Sequence, residues 1–85
     1  MSRFRVAVHI APRRGLLDPQ GKAVTDALRT LGFASVQDVH VGRHLVVEMD
    51  AADPTAAERT TRDMCNKLLA NPVIEDFEIA SVSTL

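Results

Sequence analysis

The side chains of this 85-residue chain that could do chemistry are one cysteine, three histidines and a small group of carboxylates. Cys65 could act as a nucleophile only with an adjacent base and a lowered pKa. It lies on the apolar stripe of a predicted helix, which indicates a buried structural thiol. A metal site needs three or four converging ligands, and neither His40 nor His44 has a cysteine or a second spaced ligand pair nearby. We therefore expect no catalytic residue and no metal site.

Three carboxylates, those of Glu48, Asp50 and Asp53, cluster around the end of a predicted strand. General acid–base chemistry would require a cleft that raises a pKa, so a solvated sheet edge is the expected arrangement. His9 lies on the less apolar face of the first predicted strand, where either solvent or a partner could contact it. The sequence contains neither a P-loop nor a dinucleotide-binding fingerprint, and we expect this chain to bind no cofactor.

The segment before the first predicted helix carries more information than a helix start needs. Asp18 is placed to cap the helix with its carboxylate, and Pro19 follows at the first helical position, where its missing N–H costs nothing. Gly21 lies in the first turn although glycine is about 1 kcal/mol worse than alanine in a helix. Glycine here indicates a close approach to the backbone, and Leu16 and Leu17 indicate apolar surroundings. The approaching group is either a partner or the chain's own sheet.

Hydrophobic periodicity predicts four strands and two helices. The predicted strands span residues 3–11, 36–41, 44–51 and 76–82, and the predicted helices span residues 19–31 and 54–70. The first strand is expected to bury Phe4, Val6, Val8 and Ile10. The order β-α-β-β-α-β with right-handed connections predicts an α+β fold. We expect a ferredoxin-like, four-stranded antiparallel sheet with both helices on one face and an open second face.

The apolar pattern around the predicted hairpin does not fit a simple two-residue loop. Such a loop at Gly42 and Arg43 would place Val39 and Val41 on the sheet face opposite to Leu45. Either the connection contains an odd number of residues or a bulge, or both faces of the hairpin are covered.

Length and composition limit the classes of function. Residues 1–85 make a single domain with a thin core, which favours oligomerisation. A net charge of −1 argues against non-specific binding of nucleic acid or an anionic membrane. A single cysteine excludes an intrachain disulfide, and no segment is long and apolar enough for a signal peptide or a membrane span. We expect a cytoplasmic binding or assembly protein.

Four segments, in order along nearly the whole chain, carry a resemblance to a known family. They read GLLDPQG over residues 15–21, LGF over 31–33, VQDV over 36–39 and MCNKLLANPVIE over 64–75. Together they resemble the PurS family, the small subunit of phosphoribosylformylglycinamidine synthase.

The resemblance implies a subunit that has no active site of its own. The complex converts formylglycinamide ribonucleotide, glutamine, ATP and water into the amidine, glutamate, ADP and phosphate. The complex, rather than this chain, uses ATP and Mg. The resemblance also implies a homodimer, or a dimer of dimers, that bridges the glutaminase PurQ and the synthetase PurL and assists ammonia transfer. The alternative is a small-molecule sensor of the ACT type, which has the same order of elements.

The family and the residue pattern together predict three partner-contact surfaces. These are the loop before the first helix, the hairpin tip and the end of the second helix. The residues expected to contact partners are Leu16, Leu17, Asp18, Pro19, Gln20, Gly21, Gly42, Arg43, Asn66, Lys67 and Asn71. Helix N-termini offer unpaired N–H donors that could hold a partner's carbonyl or carboxylate. The apolar stripe of the second helix, by contrast, is expected to lie in the core and includes Met64, Cys65, Leu68 and Leu69.

Overall fold

A computed structural model of the chain describes residues 1–16 and 18–85. Its elements are β1 (Ser2–Pro12), α1 (Pro19–Thr30), β2 (Arg43–Ala51), α2 (Pro54–Met64), a π-helical turn (Cys65–Leu69) and β3 (Glu75–Thr84). β1 lies at the centre of an antiparallel sheet and pairs with β2 on one side and β3 on the other. The α+β class is confirmed, but the sheet in the described part of the chain has three strands instead of four.

The core lies between one face of the sheet and α2. The buried face of β1 consists of Phe4, Val6, Val8 and Ile10, as the alternation predicts. On α2 and the π-helical turn, the fully buried residues Ala57, Thr61 and Cys65 follow one another at a spacing of four. Burial raises the pKa of the Cys65 thiol, and the nearby Arg62 guanidinium opposes that shift. Cys65 is therefore a structural thiol, as predicted.

The second predicted helix changes its geometry at residue 65. In the π-helical turn the Ala70 N–H donates to the Cys65 carbonyl at 3.1 Å, a spacing of five residues instead of four. The wider turn rotates Leu68 out of the apolar stripe, and its side chain is 83% exposed. The prediction that Leu68 lies in the core is wrong for this reason, whereas Met64 and Leu69 are half-buried.

α1 begins where the sequence predicts and ends at Thr30, but it does not cover the sheet. Asp18 caps it, Pro19 is its first residue, and Gly32 just past its end has a φ of 103°. Its buried residues are Gly21 and Thr25, and residues 36–42 bury them. Among the described helices, α2 is the one that packs on the sheet. The prediction of both helices on one sheet face is therefore wrong.

Residues 36–42, which we call the arm, are extended but join no sheet in the described part of the chain. No turn or bend interrupts residues 36–51, so the arm continues β2 instead of folding back as a hairpin. A Cβ on Gly42 would overlap the Ile10 carbonyl oxygen, because the chain passes the end of β1 there. The strand predicted over residues 36–41 is extended but unpaired, and the four-stranded ferredoxin-like arrangement is not observed within the described chain.

α1 and the arm make the molecule elongated. Its principal extents are 52 × 26 × 14 Å and its Cα radius of gyration is 16.3 Å, whereas a globular chain of this length has about 12 Å. The chain therefore consists of two packing units, the sheet with α2 and α1 with the arm. In the described part of the chain, no helix combines the length and the apolarity that crossing a bilayer requires.

Candidate contact surface

The Asp18 carboxylate joins the start of α1 to the arm. Its Oδ1 accepts from the Gly21 N–H at 3.0 Å, and its Oδ2 accepts from the Val41 N–H at 2.9 Å. These two hydrogen bonds hold the pKa of Asp18 below its ordinary value of 3.8, and the bond from Gly21 makes the larger contribution. Burial of the carboxylate opposes the shift, and His40, whose Nδ1 lies 3.8 Å from Oδ2, supports it. Asp18 is therefore committed to contacts within the chain.

Two further side chains of α1 hold the arm. Thr25 Oγ1 accepts from the Val39 N–H at 2.9 Å. Arg29 donates from Nε to the Val36 carbonyl at 2.8 Å and from Nη2 to the Gln37 carbonyl at 3.2 Å. Side chains of α1 thus form hydrogen bonds with backbone N–H and C=O groups of the arm. In a sheet, the backbone of a neighbouring strand would form these bonds.

The close approach predicted at Gly21 is confirmed, and the approaching group belongs to the chain itself. A Cβ at this position would overlap the Val39 carbonyl oxygen and would lie 2.6 Å from Asp18 Oδ2. The arm can therefore lie against the first turn of α1 only because residue 21 has no side chain. The neighbour is the arm, not the sheet.

Glu75, at the start of β3, joins three segments of the chain. Its Oε1 accepts from Arg43 Nη2 at 2.7 Å and from the Asn71 N–H at 2.9 Å. Arg43 Nη2 also donates to the Leu69 carbonyl at 3.0 Å, at the end of the π-helical turn. The Glu75 side chain is only 20% exposed, which shields this charge-assisted contact from water better than a surface ion pair. Two predicted contact residues, Arg43 and Asn71, thus meet at Glu75.

An apolar groove lies beside Glu75. Its volume is about 290 Å³, and its lining consists of Pro12, Leu16, Ile74 and Glu75. Leu16 and Ile74 are 44% and 49% exposed, so a partner could contact both. Leu16, in the loop before α1, lines this groove together with Glu75, which in turn contacts Arg43 and Asn71. We call the surface formed by Leu16, Arg43, Asn71, Ile74 and Glu75 the Glu75 surface.

The other predicted contact residues lie apart from the Glu75 surface. The exposed first turn of α1 carries Pro19 and Gln20. Lys67 Nζ lies 3.0 Å from an Asp63 carboxylate oxygen on the exposed side of α2. Asn66 lines a cavity of about 140 Å³ next to the π-helical turn. Gly42 lies against the backbone of β1, and Leu17 lies outside the described residues.

Sequence reasoning missed Ile74 and Glu75. The signal for Ile74 was present, because Val73 and Ile74 form an apolar pair between Pro72 and the last predicted strand, outside any element. Both remain exposed, at 76% for Val73 and 49% for Ile74. Nothing in the local pattern indicates Glu75, because its partner Arg43 is distant in sequence.

The carboxylates near the end of β2 have structural partners. Glu48 pairs with Arg5 and Asp50 with Arg3, both at 3.7 Å across two strands, and Asp53 Oδ1 accepts from the Ala56 N–H at 2.7 Å as the N-cap of α2. On the same sheet face, the His9 and His44 rings lie side by side with centroids 4.8 Å apart. Within residues 1–16 and 18–85, no three His, Cys, Asp or Glu side chains converge as a metal ion requires.

The Asp18 contacts predict a loss of stability in acid. The folded-state pKa lies below the ordinary value of 3.8, so the stabilisation is complete above that value and disappears as the pH falls through the folded-state pKa. We expect the urea midpoint of the native chain to fall more steeply than that of Asp18→Asn between pH 5 and pH 2. Asp63→Asn, on the exposed side of α2, is the control. Parallel pH profiles for the native chain and Asp18→Asn would contradict this assignment.

Comparison with known proteins gives one consistent match. The family model for PurS, phosphoribosylformylglycinamidine (FGAM) synthase, matches residues 5–83. Subunit PurS of Archaeoglobus fulgidus is 42% identical over 72 residues, which cover 85% of this chain and 90% of that subunit.

Two solved structures extend the match to the fold. The structure of Thermus thermophilus PurS has a TM-score of 0.84 at 36% identity and covers 98% of both chains. A chain of the Thermotoga maritima PurLQS structure has a TM-score of 0.83 at 28% identity and covers both chains completely, at 100% each.

Proposed function

This chain belongs to the PurS family of phosphoribosylformylglycinamidine synthase subunits, and from that premise we propose that it bridges the glutaminase PurQ and the synthetase PurL. The bridge assists the passage of ammonia from one to the other and supplies no reacting group. The complex, which uses ATP and Mg²⁺, converts formylglycinamide ribonucleotide, glutamine and water into the amidine and glutamate. The likeness to a chain of the Thermotoga maritima PurLQS structure supports this role.

The observation that carries the proposal is the Glu75 surface. Leu16 and Ile74 give it an apolar groove, and Glu75 fixes Arg43 and Asn71 beside that groove. Apolar side chains flanked by fixed polar groups are typical of protein–protein contacts. We assign this surface to one of the two partner subunits.

Elongation supports a homodimer or a dimer of dimers, and we propose that this assembly is cytoplasmic. On α1 and just after it, Val24, Leu31 and Phe33 are 41%, 73% and 55% exposed. An exposed apolar stripe of this kind is typical of an interaction site. The chain is elongated, with a radius of gyration of 16.3 Å, and therefore exposes a large surface. A second copy that covers the apolar stripe would bury part of that surface. Sedimentation equilibrium of the isolated chain measures this association.

Reconstitution tests the bridging role. With PurL, PurQ and this chain present, amidine formation is measured with glutamine and, separately, with ammonium chloride as the nitrogen source. We expect omission of the chain to abolish the glutamine-dependent activity and to leave the ammonia-dependent activity of PurL intact. If neither activity changes on omission, the bridging role is wrong.

A groove between α1 and the arm favours a second candidate, a small-molecule sensor of the ACT type. The groove has a volume of about 450 Å³, and charged residues such as Lys22, Asp26 and Asp38 line it. Calorimetry of the isolated chain with glutamine and glycine distinguishes the two functions. Saturable binding without PurL and PurQ would favour the sensor, and no heat of binding would favour the bridge.

A further inference from the structure

Two histidines lie side by side on the sheet face that is turned away from the core. His9 of β1 and His44 of β2 are register partners in the antiparallel ladder, so their side chains leave the sheet on the same face. Both residues are exposed, and their ring centroids lie 4.8 Å apart at an interplanar angle of 53°. Because the two residues are distant in sequence, ligand spacing along the chain does not reveal this pair.

The separation of the two rings suits a metal ion bound to both. A metal–imidazole bond is about 2.1 Å long, so an ion bound to one nitrogen of each ring lies about 3.2 Å from each centroid. Centroids 4.8 Å apart then subtend about 100° at the ion. That angle lies between the values for neighbouring octahedral ligands and for tetrahedral ligands. Both side chains are exposed, so each ring can rotate to turn a nitrogen toward the shared ion.

The neighbours of the pair on this face leave room for a hydrated ion. On β1, His9 is flanked by Ala7 and Ala11, and on β2, His44 is followed by Val46. None of these three neighbours carries a charge that would repel a cation. A divalent ion can keep water in its remaining positions, as Mg²⁺ does in sites with one or two carboxylates. The pair therefore does not need the further protein ligands of a closed zinc centre.

The charges around the pair favour a cation. Glu78 of β3 is the register partner of His9 on its other side, so its carboxylate lies on the same face. A histidine that binds a metal almost always donates its second ring N–H to a carboxylate, a carbonyl or water, and Glu78 is placed to accept from His9. Arg5, further along this face, lies 3.7 Å from the Glu48 carboxylate, which offsets its positive charge.

We propose that His9 and His44 together bind one divalent cation of the class that prefers imidazole nitrogen, with Glu78 orienting His9. Zn²⁺, Ni²⁺ and Cu²⁺ belong to this class, whereas Mg²⁺ and Ca²⁺ prefer oxygen ligands. The bound ion links the edge strand β2 to the central strand β1. It stabilises the folded chain, because the unfolded chain does not hold the two rings together.

Calorimetric titration of the full chain, without a histidine tag, with NiCl2 tests the site. We expect one Ni²⁺ per chain. Loss of an outer-shell partner weakens metal binding about 10–100-fold, so loss of a ligand in His9→Gln or His44→Gln should weaken it by about 100-fold or more. The matched control is His40→Gln, because His40 lies beside Asp18 and the arm instead of on this sheet face. It should bind Ni²⁺ as the native chain does.

Replacement of Glu78 tests its orienting role. We expect Glu78→Gln to weaken Ni²⁺ binding about 10-fold without changing the stoichiometry. Asp76→Asn is the control, because the Asp76 carboxylate already lies 3.5 Å from Arg13. An affinity that Glu78→Gln lowers no more than Asp76→Asn does would exclude Glu78 from the site.

Urea unfolding provides a readout that does not depend on heats of binding. We expect Ni²⁺ to raise the urea midpoint of the native chain and of His40→Gln, and to leave the midpoints of His9→Gln and His44→Gln almost unchanged. The midpoints without metal show whether each variant folds. Both histidines are exposed, so these values should lie close to that of the native chain.

Three outcomes would overturn the shared site. No saturable binding by the native chain, or an affinity that His9→Gln and His44→Gln leave unchanged, would mean an adventitious ion only. Two ions per native chain, of which each variant loses one, would mean two separate histidines. Displacement of Ni²⁺ by an equal concentration of Mg²⁺ would mean an oxygen site. These measurements use the chain without PurL and PurQ, so their failure leaves the bridging role to its own reconstitution assay.

Discussion

Replacement of Gly21 by alanine is expected to detach the arm from α1 and to lower the free energy of unfolding by about 2 kcal/mol. The added Cβ overlaps the Val39 carbonyl oxygen, which is a backbone atom and cannot rotate away. Displacement of the arm then lengthens the Val39–Thr25 and Val41–Asp18 hydrogen bonds. Together these effects cost about 3 kcal/mol, and the better helix propensity of alanine returns about 1 kcal/mol.

Urea unfolding at a fixed chain concentration measures the loss, and amide hydrogen exchange at Val39 and Val41 locates it. Gln20→Ala is the matched control, because this residue lies exposed in the same turn and its replacement should change the stability by less than about 0.5 kcal/mol. Helix propensity alone predicts the opposite sign for Gly21→Ala. A stabilised Gly21→Ala chain would show that the arm does not lie against α1.

Glu75→Ala is expected to cost about 2 kcal/mol of stability and to reduce the glutamine-dependent activity of the complex. The substitution removes the acceptor of both the Arg43 guanidinium and the Asn71 N–H. Among the described residues, Arg43 then keeps only the Leu69 carbonyl as a partner, and the start of β2 is no longer tied to the start of β3. Glu75→Gln keeps an acceptor oxygen without the charge. Its stability and activity should lie between those of the native chain and those of Glu75→Ala.

The neighbouring Asp76 provides the control for Glu75. Its carboxylate lies 3.5 Å from Arg13, and its side chain is 70% exposed. Exposed pairs of this kind contribute about 0–1 kcal/mol, so Asp76→Ala should unfold and reconstitute almost as the native chain does. Equal effects of Glu75→Ala and Asp76→Ala, in unfolding and in glutamine-dependent turnover, would show that Glu75 is not central to the proposed contact surface.

Local patterns predicted the elements well, because local physics determines them. The alternation of β1, the cap and proline at Asp18 and Pro19, and the glycine after α1 each act within a few residues. The close approach at Gly21 was also predictable, since a glycine in a helix is unfavourable without a reason. These features needed no knowledge of the rest of the chain.

The placement of α1 and the arm was not predictable from the same patterns. A two-residue hairpin at Gly42 conflicted with the faces of Val39 and Leu45, and the structure resolves the conflict because the chain does not turn there. Period-two alternation is the same for a hairpin strand and for a continuous strand, so only the parity of the apolar positions distinguishes them. The Glu75 surface depends on contacts between distant segments, which periodicity does not report.

The separation of α1 and the arm from the sheet has a consequence for cooperativity. Two units that share little buried surface differ in their opening free energies, so the isolated chain should show two classes of amide protection. The slow class belongs to β1 and its neighbours, and the fast class belongs to residues 19–42. If the proposed second copy covers α1, the fast class should gain protection with rising chain concentration, because assembly would then complete the folding of residues 19–42.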